Sequence, residues 1–223
     1  AINALNVFPV PDGDTGTNML LTMRSAMEKC SSTRDGTIAE VAEQLADGAF
    51  WGARGNSGVI LSQFLKGFAE AFRSLEVCRG ADLARALHQG ADAAYQSVGQ
   101  PVEGTMLTVI RSLSLAVQEK LDQSGEEAPR LLWETAFQAA QEALELTPTQ
   151  LPVLQEAGVV DAGGMGVVVF MGGASRYLNG FGDSELDLAV ARGYTGTPAV
   201  GRAALDKHYL HSIEDSEWGY CIQ

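Results

Sequence analysis

An all-α fold is predicted for this 223-residue chain by three observations. Apolar residues recur at helical spacing from about Asn18 to Leu178, no alternating strand pattern occurs through residue 179, and short glycine- or proline-marked loops separate the periodic segments. About seven helices joined by short loops read as a helical bundle. Glycine punctuation between apolar helices places the loops together at one end, where they can form a site.

The segment through Pro11 is expected to be extended, because Pro9 and Pro11 forbid a helix there. A helix follows from Asn18 to about Lys29, with Met19, Leu20, Met23 and Met27 on one face. Asp35-Gly36-Thr37 is a turn, and Thr37 with Glu40 three residues later is a capping box for a helix carrying Val41, Leu45, Ala49 and Phe50. That helix stops at Gly52-Ala53-Arg54-Gly55-Asn56-Ser57-Gly58. Ser57 opens the next, through Val59, Ile60, Phe64, Leu65 and Phe68 to near Arg73. Further helices are predicted from Asp82 to Val98, from Thr105 to Leu121, and from Pro129, at the first helical position, to Leu146. Pro148 starts a short helix to Ala157, and a last apolar helix runs from the glycines at 158–166 to Leu178. After Asn179 the periodicity ends. Residues 180–207 read as a linker and 208–223 as the start of another domain, so 1–179 is the expected first domain.

Composition narrows the function. A net charge of −13 argues against nucleic acid as a partner. No apolar run reaches the ~18 residues of a membrane span, and no signal peptide is visible, so a cytoplasmic protein is expected. Three cysteines fit a reducing compartment better than a disulfide scaffold. The chain opens without Met, in mid-pattern, which reads as a fragment. His208, His211 and Cys221 have metal-capable chemistry but loose spacing for zinc.

The chemistry concentrates in four loop-to-helix junctions. In Pro9-Val10-Pro11-Asp12-Gly13-Asp14-Thr15-Gly16-Thr17-Asn18-Met19, two carboxylates flank a glycine ahead of a helix. Such carboxylates repel one another unless a cation sits between them, and the free N–H groups of the helix start then face any anion that the cation brings. The spacing fails an EF-hand, since Gly16, Thr17 and Met23 occupy its positions 5, 6 and 12. Magnesium fits better, with Asn6 able to add an amide oxygen to Asp12 and Asp14. Asp-Gly is also common in solvated turns, which is the competing reading. Gly52 to Gly58 is not a Walker A loop, yet Asn56 and Ser57 offer hydrogen bonds at a helix start and Arg54 can reach phosphate; a tight helix–helix connection is the alternative. Pro101-Val102-Glu103-Gly104-Thr105-Met106-Leu107-Thr108 and Asp161-Ala162-Gly163-Gly164-Met165-Gly166 complete the set. Each is weak alone, and together they point to a nucleotide site. No histidine lies near them, which disfavours a histidine base or a Ser-His-Asp triad.

These four motifs, with Gly-Val-Val-Asp leading the last, resemble in order the DhaL-like (DAK2) nucleotide-binding domain of the bacterial fatty acid kinases, which is related to the L subunit of dihydroxyacetone kinase. The resemblance covers about residues 1–179, and Glu217-Trp218-Gly219-Tyr220-Cys221 is similar to the start of that family's middle domain. It implies an antiparallel barrel of eight helices, the first absent here, with ATP at one end. It implies two magnesium ions held by Asp12 and Asp14 and bridging the ATP phosphates. Dihydroxyacetone kinases have a third aspartate five residues upstream of the pair; here Asn6 is nearest, at a different spacing. Thr17 and Asn18 match nucleotide-contacting positions, Gly55, Asn56 and Ser57 the phosphate loop, Thr105 and Met106 an adenine-side contact, and Asp161 and Gly163 the closing loop. The implied acceptor is a fatty acid held by a DegV-type lipid-binding partner, giving an acyl phosphate. A small-molecule kinase of the same fold and a non-catalytic nucleotide- or lipid-binding module are the competing readings, and a homo-oligomer is compatible with all three.

Overall fold

The computed structural model describes residues 2–33 and 36–180. Its regular structure among these is helical throughout, with eight α-helices: α1 (Thr15–Cys30), α2 (Ile38–Trp51), α3 (Gly55–Glu70), α4 (Gly80–Gln96), α5 (Met106–Ser124), α6 (Pro129–Gln150), α7 (Pro152–Ala157) and α8 (Ala162–Leu178). The helices pack mainly against their neighbours in sequence, with α8 closing onto α6, α5 and α1. This up-and-down arrangement agrees with the helical barrel expected from the sequence. Among the described residues no helix is long and apolar enough to cross a membrane. The linker and second-domain start, and with them His208, His211 and Cys221, lie outside the described residues, as does Asp35 of the expected turn.

The main core runs between the helices through Leu61, Phe64, Leu65, Leu87, Ile110, Leu113, Leu132, Leu144 and Met171. The first helix departs from the expected face. Its buried residues are Thr15, Met19, Thr22 and Ala26, whereas Leu20 and Met27 are exposed. The reason is close backbone approach. A Cβ on Gly48 would meet the Ser25 and Ala26 backbone, one on Gly52 would overlap the Ser25 side chain, and one on Gly58 would overlap the Thr22 hydroxyl. Small and short polar residues on α1 fit these glycines where methionine would not.

Several boundaries also shift, with α1 starting at Thr15 rather than Asn18 and α4 at Gly80 rather than Asp82. The segment before Pro9 contains a short 3-10 turn, Ile2–Leu5. Helix α3 starts two residues early at Gly55 and ends at Glu70 rather than near Arg73. Pro148 does not open a new helix but lies inside α6. A proline there removes the N–H that would bond the Leu144 carbonyl. The Thr147 hydroxyl donates to that carbonyl instead, at 2.7 Å, so α6 continues to Gln150 and Pro152 opens α7. The Thr37 capping box is present: Glu40 N–H donates to Thr37 Oγ1 at 3.3 Å, and Thr37 N–H donates to Glu40 Oε2 at 2.8 Å.

The antiparallel order divides the loops between two ends. Ile38, Phe72, Leu83, Trp133 and Leu178, from the start or finish of five helices, share an apolar cavity of about 260 Å3 at one end. The four motifs therefore fall at the other.

Candidate functional site

Side-chain contacts stitch the four motifs together. Gly55 has φ +57, and a Cβ there would overlap the Asn18 amide; this joins the start of α3 to the start of α1. A Cβ on Gly166 would overlap the Met19 thioether, which brings α8 onto α1. Gly163 lies against Met106, where a Cβ would stand 3.1 Å from the Met106 Cβ, joining α8 to the start of α5. The sequence-predicted residues thus occupy one continuous rim.

Asp12 and Asp14 are both exposed, on either side of Gly13 with its φ of +70. Asn6 is buried beneath them, 7% exposed, and its Nδ2 donates to Asp12 Oδ1 at 2.6 Å. It braces the carboxylate in this structure. Thr17 is exposed and held by Asn3: Asn3 Nδ2 donates to Thr17 Oγ1 at 2.9 Å, and Thr17 N–H donates to Asn3 Oδ1 at 3.1 Å. Asn18 is half-buried against Gly55, while Gly55 and Asn56 are exposed and Ser57 is half-exposed on the first turn of α3. Thr105, Met106, Asp161 and Gly163 are buried.

The four helix starts at this rim are of two kinds. Asp14 at the start of α1 and Arg54 at the start of α3 make no side-chain cap bond. Their first-turn N–H groups therefore lack a capping side chain beside the exposed Asp12 and Asp14, apart from that of Thr17, which Asn3 holds. In contrast, α5 is capped by Thr105, which accepts from Leu107 N–H at 3.4 Å, and α8 by Asp161, which accepts from Gly164 N–H at 2.6 Å. One side of the rim has helix starts without a capping side chain, and the other has its donors taken.

Asp161 ties this second side together. Its carboxylate faces the backbone N–H groups of Gly164, Met106 and Gly163, and its own N–H donates to Thr147 Oγ1 at 3.1 Å. The Thr147 hydroxyl that repairs Pro148 thus also anchors α8. Burial pushes the Asp161 carboxyl up to about 6, against the downward pull of those three N–H groups. A carboxyl that holds its proton more tightly folded than unfolded stabilises the fold fully below about pH 4, and that contribution is lost as pH rises toward 6. Chemical denaturation across this window is expected to show the wild type losing on the order of 1–3 kcal/mol relative to Asp161→Asn as pH rises from 4 to 7.

The oxygen donors at Asp12 and Asp14 are two carboxylates; Asn6, expected from the sequence to add an amide oxygen, instead turns its Nδ2 toward Asp12, because the carboxylate can only accept. Among the described residues no group of three or more His, Cys, Asp or Glu could hold a metal ion. A cation here would take one or two carboxylates and complete its shell with water and ligand oxygens, which suits magnesium and does not suit zinc. Two other concavities lie away from the rim's chemistry: the apolar cavity described above, and a groove of about 400 Å3 between α2 and α3 lined by Trp51, Lys66 and Arg73 among others.

Several site-building residues escape sequence reasoning. Asn3 clamps Thr17, and Thr22, fully buried, donates to the Asn18 carbonyl at 2.8 Å while accepting from Arg54 N–H at 3.1 Å. Thr22 lies four residues after Asn18, one helical turn on, and that spacing is the signal that could have found it.

Residues 9–176 match the DAK2 domain family. The whole chain aligns at 37% identity with an uncharacterised protein of Staphylococcus saprophyticus, covering 39% of that protein. It aligns at 39% identity with uncharacterised proteins of Staphylococcus aureus strains USA300 and N315, again over all of this chain and 39% of theirs. The chain therefore spans about two fifths of the length of the curated relatives it matches. DAK2 domains occur in kinase subunits and bind nucleotide. By a family match over three quarters of its length, the chain belongs to the DAK2 domain family.

Proposed function

We propose that the chain is the ATP- and magnesium-binding domain of a kinase that phosphorylates a fatty acid carboxylate presented by a DegV-type lipid-binding partner. The observation that carries this reading is the pairing of two uncapped helix starts, α1 and α3, with the exposed Asp12 and Asp14 in a DAK2 domain. Asp12 and Asp14, with Asn6 beneath, would hold magnesium, which when bound neutralises charge on the β- and γ-oxygens. The N–H groups at the start of α3 and the Arg54 guanidinium would hold the triphosphate. Thr17 and Asn18 would contact it from α1. The side of the rim built by Thr105, Met106, Asp161 and Gly163 would seat the base, since its donors are already used and the Met106 thioether can lie against a flat ring. Transfer joins a carboxylate oxygen of the fatty acid to the γ-phosphorus as the bond to the β-bridging oxygen breaks, and ADP leaves with that electron pair. Positioning and electrostatics are the protein's share.

The test is a reconstituted assay with the full-length protein, Mg-ATP and a fatty-acid-loaded DegV-type carrier, the product being trapped with hydroxylamine. Formation of the acyl hydroxamate together with ADP is expected. ADP formed only with a small hydroxy compound such as dihydroxyacetone would replace the acceptor assignment. Nucleotide binding without turnover on any acceptor would reduce the domain to a binding module.

A further inference from the structure

Glu103 belongs to the third motif, yet the nucleotide reading gives it no task. It is the one charged residue of the loop 99–105, and three donors converge on it. The Thr108 hydroxyl donates to Glu103 Oε2 at 2.6 Å, the Arg111 guanidinium donates to the same oxygen at 2.7 Å, and the Tyr95 hydroxyl donates to Oε1 at 3.2 Å. Arg111 also lies over the Tyr95 ring, 5.1 Å from its centroid. The carboxylate thereby links the end of α4 to the first two turns of α5.

The consequence runs through one hydroxyl. A threonine hydroxyl has a single hydrogen and two lone pairs. With its hydrogen committed to Glu103, Thr108 Oγ1 presents a lone pair to Gly104 N–H, which donates to it at 2.9 Å in a buried setting. Gly104 has φ +79 and no room to shift: a Cβ there would stand 2.8 Å from the Leu151 side chain and 3.0 Å from the Thr147 carbonyl. Without the carboxylate, nothing holds the Thr108 side chain in this rotamer, and a turn about χ1 to the other rotamer that helical threonines adopt carries Oγ1 away from Gly104. Gly104 N–H would then lose its acceptor, and the Thr105–Met106 start of α5 its fixed position.

We propose that Glu103 is a positioning residue for the base-side wall of the nucleotide site, acting through Thr108 and Gly104 on Thr105 and Met106. The inference rests on the nucleotide reading above, and it commits to the side of the rim that lies away from Asp12 and Asp14. Its signature is therefore selective. A ligand with a base feels Glu103, and a bare triphosphate does not.

The experiment measures binding of Mg-ATP and of magnesium tripolyphosphate to the full-length protein by calorimetry. The wild type is expected to bind both. Glu103→Ala should weaken Mg-ATP about tenfold, one hydrogen bond's worth, and leave tripolyphosphate within about twofold. Glu103→Gln, whose carbonyl still accepts from Thr108, should recover most of the ATP affinity. If Glu103→Ala folds poorly, Thr108→Ser against Thr108→Val reads the same contrast, since only serine keeps the hydroxyl. Equal weakening of both ligands, or unchanged ATP binding in both Glu103→Ala and Thr108→Val, overturns the inference. A wild type that binds neither ligand removes the nucleotide reading itself, a failure visible before any variant is made.

Discussion

Replacing Asp12 and Asp14 together with asparagine is expected to abolish magnesium-dependent ATP binding while leaving the fold intact. Both side chains are exposed, and asparagine keeps their shape, so the change removes chiefly charge. In the metal-free protein the double variant should be as stable as the wild type or slightly more so, because two neighbouring carboxylates no longer repel. With saturating Mg-ATP the two should separate. A ligand at a hundred times its dissociation constant stabilises by about 2.7 kcal/mol, which for a domain of this size raises the melting temperature by roughly 5–10 °C. Only the wild type should show that rise, and the affinity of the variant should fall at least about a hundredfold. Asn6 frames the result: its amide donates to Asp12, and an asparagine at position 12 retains an oxygen to accept that bond, so the loop geometry survives.

The second large effect is expected at Gly52, a residue with no chemistry. It is buried at the end of α2 with φ −94, a conformation alanine adopts without strain. A Cβ there would nevertheless overlap both Cβ and Oγ of Ser25 on α1. Gly52→Ala must push α1 away from α2, and overpacking of this kind costs about 2 kcal/mol, a fall of roughly 4–8 °C in melting temperature. The displaced helix carries Asn18, whose amide rests on Gly55, so ATP affinity should fall with stability. Ser25→Gly in the same chain should restore both in part, because the clash and its relief are one contact. Thermal melts of the two single variants and the double variant measure this coupling.

The architecture was legible in the sequence because helix periodicity and capping are local. The Thr37–Glu40 box and Pro129 at the first helical position are written in adjacent residues, and each is where the pattern put it. Boundaries that depend on a remote partner were not legible. Pro148 reads as a break until the Thr147 hydroxyl is seen bonding the Leu144 carbonyl. Leu20 and Met27 read as part of the inner face of α1 until the glycines of α2 and α3 are seen to admit only small side chains there. The same distinction holds for the site. Motif spacing identified the residues of the rim, but not the division between uncapped and capped helix starts, nor the supports beneath them. Asn3, Thr22 and Thr147 act across 14, 32 and 14 residues of chain, and no local pattern announces such a bond.

Asp12 and Asp14 are expected to gather a divalent cation that grips a triphosphate at the starts of α1 and α3. Crystals grown with ATP and manganese in place of magnesium test it most directly, because manganese can be located by its anomalous scattering. An anomalous peak is expected within about 2.1 Å of carboxylate oxygens of Asp12 or Asp14, shared with phosphate oxygens that the α3 N–H groups also hold. Nucleotide bound at another part of the surface, with both aspartates facing solvent and no metal peak beside them, would contradict it.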